Sequence, residues 1–228
     1  DQALARISLA LMLTLRGTPF IYNGEEIGMT DLFLEDVSQF RDNRAVWLYR
    51  VAVEEFGWTS DKALAIAARF SRDWCRTPMQ CSSAPNGGFS PDGVSTWLPV
   101  NPNFADGVNV ADQQDDPDSL LNFYKRMLRV RKQTPALITG EYTPLLEDQD
   151  DYFAFLRTSR ADGAGLKEGE GQTCLIVLNM SDRAHTLNFD LNAQAIKLLF
   201  SNRVRDSSSD DLTRLSITPF EIYIGELA

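Results

Sequence analysis

Histidine is almost absent from this sequence, which has 228 residues and a single histidine, His185. A Ser/His/Asp or Cys/His triad would have to use that residue, and a metal site with several histidines is excluded. Only three cysteines occur, Cys75, Cys81 and Cys174, and no two of them form a C-x-x-C pair. This odd number fits neither a disulfide framework nor a zinc site, so we expect a reducing, cytoplasmic compartment and no metal or other cofactor.

Basic side chains and long apolar stretches are also scarce. Lysine and arginine number 22 against 32 aspartates and glutamates, which gives a formal charge of −10. This balance argues against a nucleic-acid or membrane partner, because nucleic acids and anionic membranes both require a basic surface. The longest apolar run, from Ile7 to Leu15, contains Ser8 and Thr14 and falls short of the roughly 20 residues of a transmembrane helix. The composition is that of an ordinary soluble globular protein.

The start of the sequence predicts a helix, then a strand and then an acidic loop, which is the order of elements in a parallel α/β unit. Apolar residues recur at helical spacing from Leu4 and stop before Gly17, a residue suited to the C-terminus of a helix. The apolar segment Thr18–Tyr22 then predicts a strand, and the loop after it carries two glutamates. Because the helical pattern begins at once, with Asp1 in place of methionine and no signal-peptide charge pattern, we expect a segment of a longer protein.

The rest of the sequence predicts long loops followed by an all-β region. Residues 28–116 are irregular apart from a predicted helix over Lys62–Phe70, and such long loops are uncommon unless they build a site. A further helix is predicted over 120–134. After Gly140 the apolar period changes to about two, which predicts an antiparallel β-sandwich with a polar hairpin loop at 159–171. Its strands are expected at 152–156, 174–178, 196–200 and 220–224.

Two groups of charged residues could carry chemistry. Glu25 and Glu26 follow a predicted strand, where a general acid or nucleophile of an α/β barrel would lie, although acidic loop residues more commonly hold their own loop. The segment Arg69–Gln80 concentrates arginine and aspartate, whose forked hydrogen bonds suit the hydroxyl groups of a polar substrate. The alternative interpretation of this segment is a solvated surface with weak local ion pairs.

Several motifs, in a fixed order, resemble those of one enzyme family. Residues 17–29, Gly-Thr-Pro-Phe-Ile-Tyr-Asn-Gly-Glu-Glu-Ile-Gly-Met, resemble the motif of the eighth barrel strand in the α-amylase family, glycoside hydrolase family 13. Arg72 and Asp73, followed by Arg-Thr-Pro-Met-Gln at 76–80, resemble the α-glucosidase and oligo-1,6-glucosidase branch of that family. Further matches to this branch lie at 86–89, 97–100 and 116–121.

The resemblance implies the last part of a (β/α)8 TIM barrel, at residues 1–138, followed by a C-terminal antiparallel β-sandwich at 139–228. It implies a retaining enzyme whose substrates are short oligosaccharides of the maltose or isomaltose type. In this family the nucleophile and the acid come from strands four and five, and a His-Asp pair comes from strand seven. None of these motifs occurs here, so the segment has no catalytic residue of its own and is expected to be inactive alone.

The resemblance assigns roles to five residues of this sequence. Arg76 matches the arginine that pairs with an aspartate from the earlier part of the barrel and binds the glucose at the non-reducing end. Arg72 and Asp73 match substrate-binding positions nearer the rim. Glu26 matches the last glutamate of the strand-eight motif, which is structural, and Tyr22 is a second structural residue near the site.

Aromatic residues around this segment have two interpretations. Trp74, Phe89, Trp97 and Phe104 could stack on sugar rings, but loop aromatics more commonly fasten long loops to a barrel, and we favour the second role. One position departs from the branch, because Cys81 stands where tryptophan usually follows Pro-Met-Gln. The loss of an indole removes a large packing surface, so we expect a looser rim or an altered specificity.

Other functions remain open beside the α-glucosidase. A trehalose synthase or sucrose isomerase of the same fold shares the Arg-Thr-Pro-Met-Gln region and differs in how water is excluded. A non-catalytic relative would keep the barrel as an interaction scaffold. The sequence upstream of this segment discriminates between enzyme and scaffold, because absence of the nucleophile and acid motifs there would favour the scaffold.

Overall fold

The computed structural model describes residues 2–160, 171–193, 195–205 and 210–228. Its helices are α1 (Gln2–Thr14), α2 (Asn43–Glu54), α3 (Ser60–Phe70), α4 (Val110–Gln114), α5 (Leu120–Gln133) and α6 (Pro135–Thr139). Its strands are β1 (Glu141–Leu145), β2 (Tyr152–Ser159), β3 (Gln172–Asn179), β4 (His185–Leu187), β5 (Ile196–Ser201), β6 (Leu215–Ile217) and β7 (Ile222–Leu227). Within these ranges, no helix has the length and apolar character to cross a bilayer.

The chain folds as two compact units. One unit comprises Ile21–Asn122, and the other combines Asp1–Phe20 with Phe123–Ala228. The first contains α2, α3 and α4 with the long loops, and the second contains α1, α6, most of α5 and every strand described. The predicted domain limits, 1–138 and 139–228, remain a prediction.

The strands form an antiparallel five-stranded sheet in the order β1-β2-β3-β7-β5 and a second sheet of β4 and β6. The predicted antiparallel arrangement is confirmed, and each of the four predicted strands overlaps a strand of the large sheet. The strands β1, β4 and β6 were not predicted, because two of them have three residues and β1 contains Pro144. Ser159 pairs with Gln172, so β2 and β3 form a hairpin, and residues 161–170 of its predicted loop lie outside the described residues.

The strand β3 lies at the centre of this unit. From Cys174 onward every residue of β3 is buried, on both faces of the sheet. One face of the large sheet packs with the small sheet in a shared apolar core. The helices α1 and α6 also contact β3. This two-sided burial explains the unbroken apolar run 174–178. The core shared with the small sheet contains Ala154, Leu175, Val177, Leu187, Phe189, Leu212, Leu215, Ile217 and Tyr223.

Two arginines satisfy the carbonyl groups at the C-terminus of α1. Arg131 donates to the carbonyl oxygen of Leu13, and Arg157 donates to that of Thr14. The Nη2 and Nε of Arg157 also donate to the carbonyl oxygen of Gly140, at 2.8 and 3.3 Å. The last carbonyls of a helix have no partner within the helix and carry its negative dipole end, so guanidinium groups stabilise them. Burial lowers the pKa of Arg157 to about 10.

In the other unit, α2 and α3 pack against each other through small residues. Ala45 and Ala52 of α2, with Ala63 and Ala67 of α3, are buried, which lets the two helices approach closely. The helix α3 was predicted from the sequence, but α2 was not. The prediction that residues 43–54 are irregular was wrong, because they form this helix. The pattern of α2 misleads because its buried positions are alanines, while larger apolar residues of the helix remain partly exposed.

The N-terminus of α2 is capped by a buried aspartate. Asp42 Oδ1 accepts from the backbone N–H of Arg44 at 3.0 Å. Its Oδ2 accepts from both the backbone N–H and the Nε of Arg72, each at 3.0 Å. The side chain of Arg72 therefore lowers the pKa of Asp42 to about 2, against the opposing effect of burial.

The segment Thr18–Tyr22 is not a strand, which corrects the prediction. Among the described residues no strand pairs with it, and a strand requires a hydrogen-bonded neighbour. Its apolar side chains are exposed, with Phe20 at 86%. An exposed row of this kind is suited to a partner strand that the described residues do not supply.

We expect Arg157→Met to destabilise its unit strongly. The substitution keeps an unbranched apolar stem but leaves the carbonyls of Thr14 and Gly140 buried without these donors, at about 1–3 kcal/mol each. Arg160→Met is the matched control, because that side chain is 76% exposed and its ion pair with Glu141 lies at the surface. Urea unfolding of both variants measures the difference. Equal stability of the two would show that the buried guanidinium does not support α1.

We also expect an acid-dependent contribution from Asp42. Its pKa of about 2 lies below the usual unfolded value near 4, so the ionised carboxylate stabilises the fold above about pH 4. That stabilisation is lost as the pH falls from about 4 to about 2. Asp42→Asn keeps a capping side chain without the charge. The difference in unfolding free energy between wild type and variant should hold from pH 7 to 5 and shrink below pH 4, and a difference independent of pH would contradict the ion pair.

Candidate active site

The candidate site is built on a second buried aspartate, Asp73, which opens a single 3-10 turn, Asp73–Cys75, just after α3. Its Oδ2 accepts from the backbone N–H groups of Arg41 at 2.7 Å and Asp42 at 2.8 Å. Asp42 in turn accepts from Arg72, next to Asp73. The segment before α2 and the segment after α3 are thus joined by reciprocal carboxylate contacts, which fixes both at one place.

An open cleft of about 420 Å³ lies along these joined segments. It contains all three predicted substrate-binding residues, Arg72, Asp73 and Arg76. Four arginines and two aspartates line it, so the cleft is locally basic although the chain as a whole is acidic. A groove with several fixed guanidinium donors can bind hydroxyl or carboxylate oxygens of a polar ligand. Its lining residues are Arg41, Asp42, Asn43, Arg44, Arg72, Asp73, Arg76, Trp97 and Leu98.

The two predicted arginines differ in their environment. Arg72 is neutralised by Asp42, although 65% of its side chain is exposed. Arg76 is exposed, and no carboxylate among the described residues pairs with its guanidinium. Its backbone is nevertheless held on both sides, because its N–H donates to the carbonyl of Asp73 at 3.0 Å and its carbonyl accepts from Trp97 Nε1 at 2.9 Å. Arg76 is therefore a cation with a fixed backbone, close to Tyr22 and without a carboxylate partner among the described residues.

Asp73 has a defined structural task in addition to lining the cleft. Only 3% of the residue is exposed, and one carboxylate oxygen is occupied by two backbone N–H groups. Such an oxygen has little capacity left for a sugar hydroxyl. The substrate-binding role predicted for Asp73 stays a prediction, and the contacts described favour a role in holding the loop.

The strand-eight motif supplies Tyr22 and Glu26. The Tyr22 hydroxyl donates to Cys75 Sγ at 3.8 Å, and this contact is the main cause of its raised pKa, which the nearby Arg76 guanidinium partly offsets. Glu26 Oε2 accepts from the backbone N–H of Gly24 at 2.8 Å. Glu26 thus bonds to its own loop, which supports the structural role predicted for it.

Sequence reasoning missed Asp42 and Arg41. The available signal was the helix cap, because an aspartate followed by a helical segment is a common N-terminus. The structure shows how two of the loop aromatic residues are held. The ring of Trp74 stacks on Phe33 with 5.9 Å between centroids, and the indole N–H of Trp97 donates to the Arg76 carbonyl.

Candidate metal ligands are not clustered in the part of the chain that is described. There, no three histidine, cysteine, aspartate or glutamate side chains are grouped so as to hold an ion. The cleft can bind and orient a polar ligand through guanidinium and backbone groups. Its two aspartates face backbone and arginine donors and are not arranged as an acid and nucleophile pair.

Comparison with known proteins finds relatives that all belong to one group of glycosidases. The α-amylase catalytic domain model matches residues 1–140. A probable oligo-1,6-glucosidase 2 of Bacillus subtilis is 36% identical over 92% of this chain and 36% of its own length. A glucan 1,6-alpha-glucosidase of Streptococcus dysgalactiae subsp. equisimilis is 37% identical over 81% of this chain and 32% of its own length. The chain thus spans about a third of the length of these curated relatives.

Solved structures agree with the sequence matches. A trehalulose synthase from Pseudomonas mesoacidophila MX-45 is similar with a TM-score of 0.78 and 29% identity, over 99% of this chain and 38% of that chain. A Bacillus licheniformis trehalose-6-phosphate hydrolase is similar with a TM-score of 0.77 and 28% identity, over 99% and 39%. The domain match and the relatives above 30% identity together show that this chain belongs to the α-amylase family of glycoside hydrolases.

Proposed function

We propose that this chain forms the C-terminal part of a retaining α-glucosidase that acts on short α-glucosides of the maltose or isomaltose type. The observation that carries the proposal is Arg76, which has a fixed backbone in a polar cleft and a guanidinium that no carboxylate of the described residues pairs with. The names of the relatives, oligo-1,6-glucosidases and a glucan 1,6-alpha-glucosidase, support this substrate class.

Arg76 is proposed to meet an aspartate from the preceding part of the enzyme and, with it, to bind the terminal glucose. An isolated guanidinium in a cleft is well suited to this task, because it presents donors in a fixed plane to hydroxyl and carboxylate oxygens. Arg72 is proposed to act at the rim, where its bond to Asp42 holds it in place. The nucleophile and the acid are proposed to come from outside this chain.

We further propose that residues 1–138 complete a (β/α)8 barrel and that residues 139–228 form a β-sandwich. The exposed, unpaired segment Thr18–Tyr22 fits a barrel strand, and the core shared by the two sheets fits a sandwich. A cytoplasmic location is proposed as well, since Cys75, Cys81 and Cys174 are all free thiols.

A sugar isomerase is the second candidate function. Solved neighbours of the fold include a trehalulose synthase and an isomaltulose synthase, each covering 99% of this chain. Incubation of the full-length protein with sucrose separates the two candidates. Glucose and fructose as the products would favour the hydrolase, and a rearranged disaccharide would favour the isomerase.

In the full-length protein, Arg76→Ala should nearly abolish turnover while the fold is kept. Arg76 is exposed in this chain, but the proposed aspartate from the preceding part would bury the pair. Loss of one partner of a buried ion pair costs about 3–5 kcal/mol, and even 3 kcal/mol in the transition state exceeds a hundredfold in rate. Steady-state kinetics on an aryl α-glucoside and on isomaltose measure the effect.

The matched control is Arg72→Ala, which changes another arginine of the same cleft. Its loss should lower stability through Asp42 and alter the preference between isomaltose and the aryl glucoside more than the rate on the latter. A wild-type rate for Arg76→Ala would place Arg76 outside the glucose pocket and overturn its assignment.

The 228-residue chain alone should hydrolyse no α-glucoside. The mechanism requires two carboxyl groups about 5–5.5 Å apart across the scissile bond, and the family motifs that supply them are not encoded here. A chromogenic α-glucoside, with the full-length protein as positive control, tests this. Turnover by the pure chain would show that a carboxylate such as Glu26 is catalytic and not structural.

A further inference from the structure

Trp97 stands at the junction of two clefts. It lines the arginine cleft and also a second, larger cleft of about 640 Å³, and Arg41 and Leu98 line both as well. The two clefts therefore adjoin along a common wall. The larger volume lies within the range of small-molecule sites in proteins.

The indole of Trp97 is held rigidly but is not covered. Its Nε1 donates to the Arg76 carbonyl at 2.9 Å, and its ring meets Phe89 edge to face, with centroids 5.1 Å apart and planes at 85°. Even so, 48% of the residue is exposed. An exposed aromatic ring that is fixed by two contacts loses little conformational entropy when a ligand packs on it.

The surroundings of Trp97 in the larger cleft are polar and open. Gln39, Arg41, Asp92 and Ser95 bring amide, guanidinium, carboxylate and hydroxyl groups to its lining. The loop beside them is held by Asn86, whose amide donates to Ser90 and to two loop carbonyls, each at 3.0 Å. A flat aromatic face with scattered hydrogen-bonding groups is suited to a pyranose ring, which has an apolar face and polar edges.

We propose that Trp97 forms a further sugar subsite, next to the arginine cleft, for a glucose unit beyond the second one of an oligosaccharide. The inference rests on the proposed function for the position of the first glucose at Arg76. It deepens that function by naming the substrate class as oligosaccharides of three or more units. The indole N–H of Trp97 donates a hydrogen bond to the Arg76 carbonyl. The subsite therefore has a fixed position relative to the backbone of the residue that is proposed to bind the terminal glucose.

The test compares substrates of increasing length in the full-length protein. The kcat/KM on isomaltose, isomaltotriose and isomaltotetraose is measured for wild type, Trp97→Leu and Trp97→Phe. Leucine fills the site without a flat ring, and phenylalanine keeps a ring but loses the indole N–H. Trp47→Ala is the control, because Trp47 is a 58% exposed tryptophan on α2 that lines neither cleft.

Wild type should favour the trisaccharide over the disaccharide, and Trp97→Leu should lower that ratio by up to about tenfold, as expected for one aromatic contact. Trp97→Phe should retain most of the ratio, and Trp47→Ala all of it. An unchanged ratio in Trp97→Leu, or no length preference in wild type, overturns the subsite. An equal loss on every substrate in both Trp97 variants also overturns it, because Trp97 would then act only by holding Arg76.

A binding measurement separates this inference from the proposed function. If the full-length protein turns over none of these α-glucosides, the proposed function fails. Calorimetric titration with isomaltose and isomaltotriose still decides the subsite. Tighter binding of the trisaccharide in wild type that is lost in Trp97→Leu would support it, and equal binding of the two sugars would reject it.

Discussion

The hydrogen bonds accepted by two buried aspartates, Asp42 and Asp73, determine where the side chains of the cleft lie. Asp73 accepts from the backbone at Arg41 and Asp42, and Asp42 accepts from Arg72. Ionised carboxylates are costly to bury unless donors are aimed at them, and here most donors are backbone groups with no rotamers to lose. Although α2 and α3 separate these segments in the sequence, the contacts place Arg41 and Arg76 on one cleft.

The arginines of the cleft differ in how their charge is compensated. Arg72 is charge-compensated by Asp42, whereas Arg76 has a fixed backbone and, within the described ranges, no carboxylate partner. A neutral sugar gains little from the positive potential of the cleft, since long-range attraction acts on net charge. What the guanidinium offers to such a ligand is orientation, through planar donors. The same donors suit a carboxylate from another part of the enzyme, which would complete the pair.

The sequence predicted those features that rest on local patterns and the resemblance. Alternation placed the main strands, and the ordered motifs located Arg72 and Arg76, which the structure brings together in one cleft. The helix α2 was missed because alanines, not large apolar residues, form its buried face. The contact from Asp42 to Arg72 could not be read from the sequence, since it spans two helices and depends on tertiary packing. The segment Thr18–Tyr22 has strand-like residues but, within the described ranges, no neighbour to pair with.

The packing of α1 against β3 has a consequence for synthesis of the protein. The two elements lie in one compact unit, yet the whole of the other unit separates them in the sequence. The apolar residues of α1 that are buried in the folded unit, Ile7, Leu9 and Leu13, therefore leave the ribosome long before β3 exists. Contacts between such distant segments are slow to form and leave apolar surface open to aggregation. Until β3 is made, α1 lacks the packing that this strand provides.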